Sequence, residues 1–171
     1  LVANLHRRAP RGIVGINIGR NFDTPNERAA DDYLQCLRKV YPYASFVTAN
    51  ISSPNTKGLR ELQSGEAIDG LLAALARERT ALEQQHGRRV PLAVKIAPDL
   101  EDEQLDALAE RALVHGMDAV IATNTTLPRP GVDSREAGGL SGAPLRERST
   151  AVVARLARTL QGRATLIGVG G

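Results

Sequence analysis

Five nearly continuous apolar runs, separated by longer amphipathic stretches, set the strictest limit on what this chain can fold into. The runs cover residues 12–18, 45–51, 90–96, 118–123 and 164–169, and each is dominated by Val, Ile, Leu and Ala. Runs of this kind do not alternate polar with apolar, so they fit strands buried on both faces of a parallel sheet. Between them lie helical patterns at 25–40, 65–86, 100–115 and 145–160. The first of these has Thr24 placed as N-cap and Pro25 at the first helical position. Ile68, Leu71, Leu72, Leu75 and Leu82 make an apolar stripe on the second, and Gly87 follows it as a stop. The resulting order, β-α-β-α-β-α-β-α-β, predicts an α/β protein with right-handed crossovers. A doubly wound sheet and part of a (β/α)8 barrel both satisfy it. The 171 residues fall short of the ~200–250 typical of a whole barrel.

Composition narrows the function classes. Aromatic residues make up 3% of the chain and Trp is absent, so base stacking on aromatic side chains is not its trade. The net charge of +3 is spread over mixed-sign helix faces, with Arg7, Arg8 and Arg11 as the one basic cluster near an end; this reads as solvated surface and not as a nucleic-acid partner site. The single cysteine, Cys36, sits in a helical pattern and reads as a buried small hydrophobe. His6, His86 and His115 lack ligand spacing, and no metal site is expected. Asp31, Asp32 and residues 101–103 read as exposed carboxylates at helix starts. No apolar run reaches the length of a membrane span, and no signal peptide is visible.

The polar residues follow the strands. Asn17 and Asn21 come after the first run, Asn50 to Asn55 after the second, Lys95 within the third, Thr123 to Thr126 after the fourth, and Gly168, Gly170 and Gly171 after the fifth. In both candidate architectures the carboxyl ends of the strands carry the site. The cluster Asn50-Ile51-Ser52-Ser53-Pro54-Asn55-Thr56 could be turn chemistry alone. Two carboxamides flanking a serine also suit a planar polar ring, because each offers a donor and an acceptor. Lys95 either snorkels to solvent from a strand end or sets a cation against a developing negative charge. Gly138-Gly139-Leu140-Ser141-Gly142 and Gly168-Val169-Gly170-Gly171 expose backbone N–H groups able to bind phosphate, though neither is a GxGxxG or P-loop motif.

Taken together these segments resemble the dihydroorotate dehydrogenase family, in its quinone-dependent, membrane-associated class. Gly15-Ile16-Asn17-Ile18-Gly19, the Asn50–Thr56 segment with Gly58-Leu59-Arg60, Val94-Lys95-Ile96-Ala97-Pro98-Asp99, Ile121-Ala122-Thr123-Asn124-Thr125-Thr126 and both glycine segments occur in the family's order. The resemblance implies a (β/α)8 TIM barrel, here a partial one covering about strands three to seven, as one partial catalytic domain over residues 1–171. It implies FMN held by Asn17, Asn50, Lys95, Thr123, Gly142 and Gly171. Dihydroorotate would meet Asn50, Asn55, Asn124 and Thr125. Ser53 matches the catalytic base, Thr56 a residue that relays the proton away, and Lys95 the cation that stabilises reduced flavin. The soluble class carries Cys where Ser53 stands, so Ser53 points to a quinone acceptor and leaves a fumarate- or NAD-linked enzyme as the runner-up. A non-catalytic phosphate-ligand module is the competing reading from another class. Lys57 stands where that class commonly has proline. Leu1 in place of Met, and a strand-end turn at the close, are expected of a piece of a longer chain. The docking helices, first two strands, eighth strand and peripheral contact with the cytoplasmic face of the membrane would then lie outside it.

Overall fold

The computed structural model describes residues 1–8, 12–63, 65–129, 131–133 and 136–170. In chain order the elements are α1 (Val2–Arg8), β1 (Gly15–Ile18), α2 (Ala29–Val40), β2 (Phe46–Asn50), α3 (Gly65–His86), β3 (Leu92–Ile96), α4 (Asp102–Val114), β4 (Ala119–Ala122), α5 (Ala143–Leu160) and β5 (Thr165–Gly168). The five strands form one parallel sheet in the order β1-β2-β3-β4-β5.

That order decides between the two candidate architectures. A doubly wound sheet reverses direction part-way and covers both faces with helices. Here every strand pairs with the next in sequence, and the helices share one side: α2 packs on α3, and α4 on α5. Ile16, Ile18, Val47, Ala49, Val94, Ile96, Val120 and Ala122 face that side and join Leu37, Leu72, Leu108 and Leu156 in one buried core. The opposite, concave face holds only a small cluster of Ala93, Ala119 and Ile121. A curved run of successive β/α units with helices outside is an arc of a (β/α)8 barrel.

The two faces correct one expectation. The apolar runs predicted strands buried on both sides, yet β1 alternates exposed and buried, and Thr165, Ile167 and Gly168 of β5 are exposed. Burial on the concave side falls off toward both edge strands, while β2, β3 and β4 are flanked by strands and largely buried.

Local chemistry moved some boundaries. The first long helix begins at Ala29, after a 3-10 turn at Asn26–Arg28, and neither start carries a side-chain cap. Thr24 is therefore not the N-cap. Its carbonyl accepts from the Arg20 guanidinium. Asn26 donates to Gly58 O at 2.8 Å and to Glu61 at 2.9 Å. Asp32 is half-buried and structural, accepting the Asn21 N–H at 2.8 Å. Burial works against its charge, but the Asn21 and Thr24 bonds and nearby Arg20 together hold its pKa below the ordinary range. Glu101 is the N-cap of α4 and forms a reciprocal capping box with Gln104. Cys36 is half-buried rather than buried. Arg7 is exposed, as expected; Arg11 lies outside the described residues.

Tyr33, fully buried on α2, ties the helix layer to the site. Its hydroxyl donates to Asn50 O at 2.7 Å, where β2 ends. Burial pushes the phenol pKa above its usual value. A raised folded-state pKa means the stabilising contribution is complete below the unfolded value near 10 and fades as pH rises above it. Tyr33→Phe should therefore cost about 1–2 kcal/mol at neutral pH and flatten the alkaline loss of stability, as read by urea unfolding at pH 7 and pH 10.5.

Candidate active site

All the polar strand ends gather at the carboxyl edge of the sheet. Asn50 and Lys95 are direct register partners, and so are Asn17 and Thr48 one row below. Thr123, Asn124 and Thr125 leave β4 beside them, after a cis Ala122–Thr123 peptide. A cleft of about 190 Å3 opens here, lined by Lys95, Thr123, Asn124, Thr125, Ser141, Leu145, Val169 and Gly170.

A chain of hydrogen bonds links the carboxamides. Ser52, fully buried, donates its hydroxyl to Asn50 Oδ1 at 2.9 Å and its N–H to the same oxygen at 3.2 Å. Asn124 Nδ2 donates to Ser52 Oγ at 3.1 Å. The Thr125 N–H donates to Asn124 Oδ1 at 2.8 Å. Both amide oxygens are thus satisfied inside the protein. What Asn50 and Asn124 have left to offer a ligand is mostly N–H, which suits a ligand rich in carbonyl or carboxylate oxygens. Reading the sequence did not single out Ser52; adjacency to Ser53 was the only signal, and two neighbouring serines do not reveal which one is buried.

Thr123 and Lys95 stand out in this region for lacking partners among the described residues. The Thr123 hydroxyl is buried with no hydrogen bond. The half-buried Lys95 ammonium has no ion pair or hydrogen bond among the described residues. A buried hydroxyl and a cation left unsatisfied in one cleft are costly unless a ligand completes them.

The loop after β2 carries Ser53, Asn55 and Thr56. Ser53 is half-buried, and its Oγ accepts the Asn55 N–H at 3.3 Å. Asn55 itself is exposed, with Thr56 half-buried beside it. Residues 138–140 lie over this loop: Leu140 bridges to Thr126, and a Cβ at Gly139 would strike the Thr125 side chain. A Cβ at Gly138 would lie 3.5 Å from Asn55 Oδ1. Gly139 thus serves close packing, Gly138 holds a φ of 105°, and Gly142, at φ 80°, is the exposed N-cap of α5. Gly170 borders the cleft, and Gly171 lies outside the described residues. Asn17 is exposed on the neighbouring strand. No cluster able to hold a metal ion occurs among the described residues.

The family model for dihydroorotate dehydrogenase matches residues 2–171. The chain belongs to the dihydroorotate dehydrogenase family. It is 59% identical over its whole length to the dihydroorotate dehydrogenase (quinone) of Methylobacillus flagellatus and 58% to that of Thiobacillus denitrificans. It spans 52% of each, about half the length of these curated relatives. Among solved structures, the DHODH of Eimeria tenella in complex with ferulenol superposes with a TM-score of 0.87 at 38% identity, covering 99% of this chain and 49% of that one. A ligand-free form from the same organism gives 0.86, covering 53% of that chain. The dihydroorotate dehydrogenase neighbours and the one-sided helix layer agree on a partial barrel.

Proposed function

We propose that these residues form the site of a quinone-dependent dihydroorotate dehydrogenase, oxidising dihydroorotate to orotate for de novo pyrimidine synthesis. The observation that carries the reading is the carboxamide chain Asn50–Ser52–Asn124 set between unpartnered Lys95 and Thr123 and the Ser53 loop, in a chain of this family.

The residues fit FMN. Asn17, Asn50, Lys95, Thr123, Gly142 and Gly171 would hold it. Thr123 and Lys95 offer it the donors that nothing else uses. Bound FMN would supply the two-electron acceptor for the hydride leaving carbon 6 of dihydroorotate. Lys95 places a positive charge where negative charge grows during the reaction. Asn50, Asn55, Asn124 and Thr125 orient the substrate ring through donors aimed at its oxygens. Ser53 takes the proton from carbon 5. A serine is a weak base alone, so Thr56 passes the proton onward.

Ser53 in place of cysteine, with relatives named for quinone, supports a quinone as final acceptor. Contact with the membrane, peripheral and on the cytoplasmic face, belongs to the same proposal; no helix among the described residues is long and apolar enough to cross one. The deciding assay is turnover of dihydroorotate by the intact protein with a soluble quinone against fumarate or NAD. Quinone reduction at several-fold the rate of the others is expected. Preference for fumarate or NAD would move the protein to the soluble class, and no turnover with any acceptor would refute the enzyme reading.

A further inference from the structure

Arg60 follows the Ser53 loop, on a 3-10 turn at Leu59–Gln63. Its guanidinium contacts three loops at once. Nε donates to Ser52 O at 3.1 Å. Nη1 pairs with Asp99 Oδ2 at 2.5 Å, beyond β3. Nη2 donates to Thr125 O at 2.8 Å, beyond β4. Both members of the pair are largely shielded, with 19% and 22% of their side chains exposed. Asp99 extends the link, accepting the Thr126 hydroxyl and the Leu127 N–H at 3.1 Å. Gln63 adds a second tie, donating to Arg60 O at 3.3 Å and accepting the Ala97 N–H at 2.9 Å.

The Ser52 carbonyl belongs to the peptide that ends in Ser53 N. Fixing that carbonyl fixes the plane from which the Ser53 side chain departs. Fixing the Thr125 carbonyl does the same for the loop bearing Asn124 and Thr125. One rigid fork therefore sets the distance between the proton acceptor and the groups that hold its substrate. A lysine could keep the charge beside Asp99, but not three donors in a fixed planar array.

We infer that Arg60, held by Asp99, is a positioning residue that aligns Ser53 with Asn124 and Thr125 of the β4 loop. This rests on the reading of Ser53 as the proton acceptor. Misplacement of a reacting group by about 1 Å can cost on the order of 100-fold in rate.

The test is a double-mutant cycle in the intact flavoprotein. Arg60→Lys and Ser53→Ala are made singly and together, and the rate of flavin bleaching by dihydroorotate is followed in single turnover. Arg60→Lys alone should slow bleaching by about 30–100-fold, with the flavin still bound. In the Ser53→Ala background the same change should cost less than about threefold, since no base is left to align. Equal losses in both backgrounds, or wild-type rates for Arg60→Lys, would overturn the inference. Ser53→Ala with an undiminished rate would instead sink the base assignment, and the inference with it. Asp99→Asn serves as the second variant if Arg60→Lys does not fold, with the same non-additivity expected. Amide hydrogen exchange in the flavin-free protein gives a readout independent of turnover. Residues 52–56 and 124–127 should lose protection together on Arg60→Lys, and unchanged protection in both would also count against the clamp.

Discussion

Ser53→Ala is expected to slow dihydroorotate oxidation by about 100- to 10,000-fold, the range for loss of a positioned proton acceptor. The residual rate would reflect substrate binding and the charge at Lys95, which the substitution leaves in place. The loop should survive: Ser53 Oγ accepts one 3.3 Å bond from Asn55 N–H, on a half-buried surface where water can replace it. Flavin absorbance should therefore be unchanged and the melting temperature nearly so. Stopped-flow bleaching of the flavin separates the steps, because only the half-reaction with dihydroorotate should slow. A Ser53→Ala protein that oxidised dihydroorotate at the normal rate would place the base elsewhere. Ser53→Cys is an informative companion, since it supplies the residue type of the soluble class while Arg60 still anchors the loop.

Lys95→Ala should cost about 100- to 1,000-fold in the same half-reaction, the scale seen when one preorganised group is removed from a developing negative charge. Lys95 has no carboxylate partner among the described residues, so no orphaned anion is left behind and the fold should tolerate the change. This separates it from Arg60, whose loss strands Asp99 in a shielded spot. Lys95→Ala should also weaken flavin binding, because the cleft loses its cation while the Thr123 hydroxyl remains. Lys95→Arg keeps the charge on a bulkier head and should recover part of the rate. Flavin titration of the stripped protein and single-turnover bleaching together read both effects. Normal bleaching in Lys95→Ala would show that the strand lysine merely reaches for solvent.

The strands were legible because short aliphatic runs separated by amphipathic stretches have few other uses in a globular fold. The architecture was open between two answers, since alternation of elements does not state pairing order; the register of β1 through β5 closed it. Short α1 offered too few residues to show a period, and the 3-10 turn at Leu59–Gln63 offers only the pair Leu59 and Leu62. Thr24 misled for a physical reason: the chain first enters a 3-10 turn at Asn26–Arg28, so the α-helix starts at Ala29, beyond the reach of a Thr24 cap. Candidate site residues stood out wherever an unusual residue interrupted an apolar strand, as Lys95 does. Ser52, Arg60 and Asp99 did not, because their roles consist of contacts between separate loops, up to 72 residues apart in sequence. Gly139 shows the converse: a glycine that reads as a phosphate cradle is required by the Thr125 side chain packed on it.

The alternation along β2 and β3 has an evolutionary consequence. Val47, Ala49, Val94 and Ile96 face the helices, while Thr48, Asn50, Ala93 and Lys95 face the concave side. Chemistry and cohesion are thus written on the same strand, letter by letter. Removing one residue inside such a strand would invert everything beyond it, burying Lys95 under α3 and turning Val94 toward the ligand. The fold tolerates many substitutions, as 38% identity at a TM-score of 0.87 illustrates. A change of length within such a strand would disturb chemistry and cohesion together, whereas one in a loop between strand and helix leaves the register intact.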